Sequence, residues 1–234
     1  MKKEIAILSG AGVIALSILG GFYMHAKING GSDSAFVDPD SMFSGRPIAK
    51  EEYLVGEGKK KVVLVEYSDM ECPFCKKLHV ETMQDIYKNY SDKIDVVFRH
   101  FPLPFHKKAP IEAVATLCAR DIGGQKAYRD YIEKIYETTN GNDSLDLSTL
   151  PKMATAIGLD VNTFNSCMSN ASSTADKFAQ VQADTQDGVE VGVQGTPNVF
   201  VLIKNGDSYN ILTIINGARD YKYVSKVIDQ ALKQ

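Results

Sequence analysis

Val62-Val63-Leu64-Val65-Glu66-Tyr67-Ser68-Asp69-Met70-Glu71-Cys72-Pro73-Phe74-Cys75 is the stretch on which the reading of this chain turns. Val62 to Val65 is continuously apolar, which suits a strand buried on both faces. A helical stretch runs from about Cys72 to Tyr90, with Met83, Ile86, Tyr87 and Tyr90 at i, i+3, i+4, i+7 spacing. Ile94 to Phe98 reads as a second strand. Strand, helix and strand within about 40 residues make a βαβ unit, hence a parallel pair.

The chemistry sits where the first strand hands over to the helix. Residues i and i+3 share a helical face, so Cys72 and Cys75 can close a disulfide. The helix N-terminus offers unpaired N–H groups and the positive end of the dipole, and both stabilise a thiolate at Cys72. Pro73 suits the first turn, where no N–H is needed. Cys72 is then expected to be an exposed nucleophile of lowered pKa, with Cys75 as resolving thiol and a mixed disulfide on Cys72 between them. Two plainer readings stand beside this one. A structural disulfide of this spacing constrains little of the unfolded chain. A zinc site needs more ligands; His79 shares the helical face, but His100 and His106 lie in other segments. The βαβ context favours redox chemistry.

Working outward, Gly195-Thr196-Pro197 precedes two strand-like runs, Asn198 to Ile203 and Tyr209 to Ile215, which flank the hairpin signal Asn205-Gly206. A last helix from Tyr221 to Leu232 gathers Val224, Val227, Ile228, Ala231 and Leu232 on one face, with Asp220 as N-cap. Between the two blocks, residues from about 107 to 187 carry a mostly helical pattern, broken at Gly123-Gly124, Asn140-Gly141-Asn142 and Asn170. A small α/β unit is therefore split by helices.

The N-terminal end reads differently. Lys2, Lys3 and Glu4 precede Ile5 to Met24, a run with no charged side chain. About twenty residues at 1.5 Å each reach roughly 30 Å, the thickness of a bilayer's hydrocarbon core. Residues 1–26 are accordingly expected to be a single-pass membrane helix with its N-terminus inside. A cleaved secretory signal is the competitor, for which Met24-His25-Ala26 is a poor site. Either one places the body outside the cytoplasm. Residues 27–59, dense in Gly, Pro, Ser and Asp, read as a tether.

Composition narrows the classes further. The chain has 234 residues, 44% of them hydrophobic, enough for a packed core and too many for wholesale disorder. A formal charge of −3 gives no reason to expect nucleic acid as a partner. Four cysteines are too few for a small disulfide scaffold.

Strand, Cys72-Pro73-Phe74-Cys75, helix, and much later Gly195-Thr196-Pro197 before a hairpin together resemble the thioredoxin fold. With the helical insertion, residues 60–234 resemble the bacterial Dsb-type, DsbA-like thiol–disulfide oxidoreductases. The resemblance implies an α/β thioredoxin fold with an inserted helical subdomain behind an N-terminal anchor. It implies an enzyme that forms or rearranges disulfides in exported proteins through Cys72 and Cys75. Glu66, six positions before Cys72, matches the family's buried acid, which takes and returns the proton of the second cysteine. Pro197 matches the cis-proline that packs against the disulfide, and Thr196 offers backbone groups to an extended substrate, alongside Pro73 and Phe74. Tyr67 fills a place where the family often has an aromatic residue, though strand-end packing explains it as well. Phe74 departs from the His found there in the family's strongest oxidants, so that charge is lacking. His79 reads as a helix-face packing residue.

Cys118 and Cys167 remain. In an exported protein two free thiols are a hazard, so a mutual structural disulfide is expected; separately buried thiols and a second redox pair are the other possibilities. The implied partners are exported proteins bearing thiols or disulfides, a membrane redox partner, and the membrane itself. Neither metal nor organic cofactor is expected. A non-catalytic thioredoxin-like module that binds exported clients or an envelope complex is the rival function.

Overall fold

The computed structural model describes residues 41–234. The anchor or signal expected over 1–26, and the first part of the tether, lie outside the described residues. Among the described residues no helix is long and apolar enough to cross a membrane.

Five strands form one sheet: β1 (Tyr53–Val55), β2 (Val62–Ser68), β3 (Ile94–His100), β4 (Asn198–Asn205) and β5 (Ser208–Asn216), in spatial order β1-β3-β2-β4-β5. β2 and β3 pair in parallel, from Val62 opposite Ile94 to Ser68 opposite His100. Their crossover is α1 (Pro73–Leu78), a π turn over His79–Met83, and α2 (Gln84–Tyr90). β4 runs antiparallel to β2 and continues through the Asn205-Gly206 turn into β5. β2 is central and buried along its whole length.

Side-chain alternation along β2 sends its residues to opposite sides. Val62 and Leu64 join the core that contains Cys72, Cys75 and the helical region, whereas Val63, Val65 and Tyr67 join a second core with Phe101, Phe200 and Leu202. Glu66 has the parity of Leu64, which puts its carboxylate on the dithiol side.

The helical region comprises α3 (Ala109–Thr138), α4 (Leu150–Ala156), α5 (Val161–Ser169) and α6 (Ala171–Glu190); α7 (Tyr221–Ala231) closes the chain. The expected break at Gly123-Gly124 is a kink within α3, where Gly124 takes φ 69° and ψ −160°. The break at Asn170 is a cap: its side chain accepts the N–H of Ser173 at 2.9 Å. Asp220 likewise accepts the N–H of Tyr223 at 2.8 Å and starts α7. Gly188 lets α6 press onto the sheet, because a Cβ there would stand 2.6 Å from the Phe101 ring. Cys118 on α3 is bonded to Cys167 on α5, with Cα atoms 5.9 Å apart.

The tether expected through residue 59 is corrected from Ser41 onward. Met42 bridges Asn210, Phe43 donates its N–H to the Tyr209 carbonyl at 2.8 Å, and the Ile211 N–H reaches the Ser41 carbonyl at 2.8 Å. The Phe43 ring packs on Phe200 with centroids 5.3 Å apart. β1 then pairs with β3. The attachment rests on charges that come together only in three dimensions. Fully buried Arg99 on β3 donates to Glu52 at 2.9 Å, to Asp187 on α6 at 2.5 Å and to the Tyr67 hydroxyl at 3.2 Å. Arg46 donates to Glu52 at 2.6 Å and also to Asp184. Burial of so many charges is tolerable only because each meets an opposite one.

Candidate active site

The β2–α1 loop is pinned from both sides before the cysteines are reached. The Cys72 N–H donates to the Asp69 carbonyl at 3.2 Å, and the Lys76 N–H returns to the Cys72 carbonyl at 3.0 Å. Cys72 is thus the N-cap of α1 with Pro73 in the first turn, as the spacing expects. Glu71 accepts from the Thr139 hydroxyl at 3.0 Å and from the Leu145 N–H at 3.0 Å, fastening the loop after α3 beneath it. In that loop Gly141 takes φ 79°, and a Cβ would stand 2.8 Å from Pro73 Cγ, so only glycine serves. Glu112 on α3 lies beside Glu71; burial first, and then the Glu71 charge, push its carboxyl up to about 9.

Cys72 and Cys75 are free thiols here. Cys72 is 4% exposed, which corrects the expectation of an exposed nucleophile. The Thr196 carbonyl covers it, accepting from the thiol at 3.4 Å. Thr196 precedes Pro197 through a cis peptide, and the Pro197 carbonyl accepts the Gly217 N–H at 2.9 Å, tying this loop to the end of β5. The two sulfurs are unlike. The Cys75 thiol, followed by the Thr196 side chain and the N–H groups of Cys75 and Phe74, outweighs burial and lowers Cys72 to about 6. Burial, and then the neighbouring Cys72 charge, push Cys75 well above the ordinary thiol range. One thiolate forms, and it forms at the outer position.

Beneath the pair, fully buried Glu66 accepts from the Ser68 hydroxyl at 2.7 Å and faces His79 Nε2 at 3.0 Å. His79 does pack, its ring 4.5 Å from that of Tyr136, but it is also the partner of the buried acid, a role the helix-face reading missed. Phe74 is 63% exposed beside the thiols. Tyr67 lies on the other side of the sheet, held by Arg99 and Asp187, away from the cysteines.

Two further residues escaped the sequence reading. Asp69 donates its backbone N–H to Cys75 Sγ at 3.5 Å, and its carboxylate accepts from the N–H groups of Glu71 at 2.7 Å and Leu103 at 2.6 Å. His106 Nδ1 meets the same carboxylate at 2.9 Å. Asp69 sits in a loop and His106 in Pro104-Phe105-His106, with no periodicity to mark either. Among the described residues no group of three or more His, Cys, Asp or Glu is placed to hold a metal ion.

Comparison with known proteins agrees with this geometry. The Thioredoxin_4 family model, described as "Thioredoxin", matches residues 49–230. "Na(+)/H(+) antiporter NhaA 1" of Mycobacterium sp. (strain KMS) is 30% identical over 165 residues, 70% of this chain and 26% of that protein. The chain thus spans about a quarter of that relative's length. "Disulfide bond formation protein D" of Bacillus subtilis (strain 168) is 26% identical over 204 residues, 81% of each chain. Among solved structures, alpha-DsbA1 of Wolbachia pipientis shares the fold with a TM-score of 0.67 at 23% identity, covering 80% of this chain and 93% of that one. On the family match over residues 49–230, this chain, with its Cys72–Cys75 pair at the head of α1, belongs to the thioredoxin family.

Proposed function

We propose that the chain works outside the cytoplasm, forming or rearranging disulfides in exported proteins through Cys72-Pro73-Phe74-Cys75. The observation that carries this reading is the inequality of the two thiols: Cys72 lowered to about 6, Cys75 pushed far up. In the oxidising direction a client thiolate attacks Cys72 Sγ of the Cys72–Cys75 disulfide. That bond breaks, and Cys75 leaves and takes a proton. A second client thiolate then attacks the client sulfur of the mixed disulfide and expels Cys72 as a thiolate. The client loses two electrons and the cysteine pair gains them. A low pKa suits Cys72 as the group expelled.

Glu66 is assigned the proton that Cys75 takes or gives, since it lies on the dithiol face of β2 and its second oxygen, Oε2, has no hydrogen-bond partner. Pro73, exposed Phe74 and Thr196 form the surface a client meets, and Pro197 holds the Thr196 carbonyl over Cys72. A membrane redox partner reoxidises the pair, and residues 1–26 keep the domain at the membrane. A disulfide between Cys118 and Cys167 fits an oxidising compartment.

The test is trapping. A Cys75→Ala variant mixed with a disulfide-bearing exported protein should accumulate mixed disulfides, as the Cys72 thiolate attacks the client disulfide and one client thiolate leaves, and Cys72→Ala should accumulate none. If neither variant traps a client and the wild type does not exchange with glutathione, the reading is wrong. The equilibrium with glutathione also fixes direction, because about 30 mV corresponds to roughly 1.4 kcal/mol.

A further inference from the structure

The exchange chemistry leaves one charged pair beside the dithiol unused. His106 comes from the β3–α3 connection and is only 4% exposed. Its Nδ1 meets Asp69 Oδ2 at 2.9 Å. Asp69 in turn touches both cysteines through its backbone, taking the Cys72 N–H at 3.2 Å and giving its own N–H to Cys75 Sγ at 3.5 Å. The His106 loop is therefore fastened to Asp69, the residue whose backbone contacts both cysteines. The loop itself is fixed by Asp143, which accepts the N–H groups of Lys107 and Lys108, each at 2.8 Å.

We infer that His106, held by Asp69, supplies the positive charge that stabilises the Cys72 thiolate, a charge that Phe74 cannot provide from within the motif. The carboxylate does not cancel it. Asp69 shares its charge with the N–H groups of Glu71 and Leu103 as well as with the imidazole, so His106 is the less compensated half of the pair. Burial opposes protonation of His106, but Asp69 overcomes it, with further support from Asn142 and Cys72, and the net direction is upward. The charged groups around it are Asp69 and Cys72 from the β2–α1 loop and Asp143 from the loop after α3. Lys107 and Lys108 are its chain neighbours, and Glu71 and Glu112 lie behind Asp69.

Linkage makes the effect reciprocal. Reduction creates a thiolate beside His106, which raises its proton affinity; oxidation to a neutral disulfide lowers it again. His106 is thus a positioning charge whose protonation follows the redox state.

This assignment rests on the thiol–disulfide reading of the same site, and the experiment separates the two. His106→Gln keeps a hydrogen-bond donor for Asp69 and removes the charge. The Cys72 midpoint, from the pH dependence of iodoacetamide alkylation, is expected to rise by about half to one unit. The equilibrium with glutathione is expected to move about three- to tenfold toward the protein disulfide. A folded variant whose midpoint stays within about 0.2 unit and whose equilibrium constant is unchanged overturns the role of His106. If His106→Gln does not fold, NMR titration of the wild-type imidazole decides: a higher His106 midpoint in the reduced than in the oxidised protein is expected, and equal midpoints overturn it. Wild-type protein that exchanges nothing with glutathione removes the redox reading and this inference together. Exchange that His106→Gln leaves untouched removes the inference alone.

Discussion

Acidification across the Cys72 midpoint tests the asymmetry of the thiols most directly. Cys72 falls from 9.0 to about 6. At pH 7 about nine-tenths of it is thiolate, against about one-hundredth for an unshifted thiol, a gain of about 90-fold. The gain in attack rate is much smaller. Nucleophilicity declines with pKa at a Brønsted slope of about 0.4–0.5, which over three units removes about 20-fold and leaves about fourfold. The low pKa therefore serves Cys72 chiefly as a leaving group. Alkylation of the reduced protein by iodoacetamide should reach a plateau above pH 7 and fall about tenfold between pH 7 and pH 5. Cys75, pushed well up, should stay silent throughout. The shift has a sign for stability too: a depressed folded pKa stabilises the reduced protein fully above the unfolded midpoint and loses that benefit as pH falls through 6. At pH 7 the contribution is about 1 kcal/mol, readable as the difference in urea unfolding between pH 7 and pH 5. A midpoint at about 8 or above, or two thiols of equal reactivity at pH 7, would refute the reasoning.

Three other outcomes are expected. Replacing Cys118 and Cys167 together by Ala opens a loop of 49-residue separation, and denaturant titration should show a loss of about 4 kcal/mol with alkylation of Cys72 unchanged; a loss below about 1 kcal/mol contradicts the crosslink. Glu112→Gln should stabilise the protein by about 4 kcal/mol at pH 8 and by less than about 0.5 kcal/mol at pH 4.5, because a carboxyl raised to about 9 in the fold loses stability as pH rises from its unfolded value toward 9. Equal pH profiles for the two proteins would show that Glu112 is not held neutral. Arg99→Met strands Asp187 without its buried counter-charge and leaves Glu52 to Arg46 alone, and should cost about 3–5 kcal/mol in urea unfolding, with melting within a few degrees of wild type as the contrary result.

The core of the fold was legible because it is written locally. Val62 to Val65, the Cys72–Cys75 spacing, Asn205-Gly206 and the α7 face each carry their own period or turn chemistry. Three features were hidden because their causes are distant in sequence. β1 has three residues and no alternation to detect, and its flanking Glu52 is explained only by Arg99, with Asp184 and Asp187 completing the cluster. His79 looked like packing because its spacing is helical; that Glu66 faces it follows from how α1 crosses β2. Asp69 and His106 lie 37 positions apart in irregular segments, so only folding makes them a pair.

The segment laid against β5 has a consequence for the company this protein keeps. A five-stranded open sheet has two edges, and each is a template on which another extended chain can add itself. One edge here is β1, only three residues long. The other is β5, whose outward groups at Tyr209 and Ile211 are already taken by Phe43 and Ser41. On the proposed function the chain meets partly folded proteins with many unpaired strands, and a bare edge would recruit them into aggregates. With both edges blunted, the clients proposed above would be left to approach by their sulfur atoms and not by their backbones.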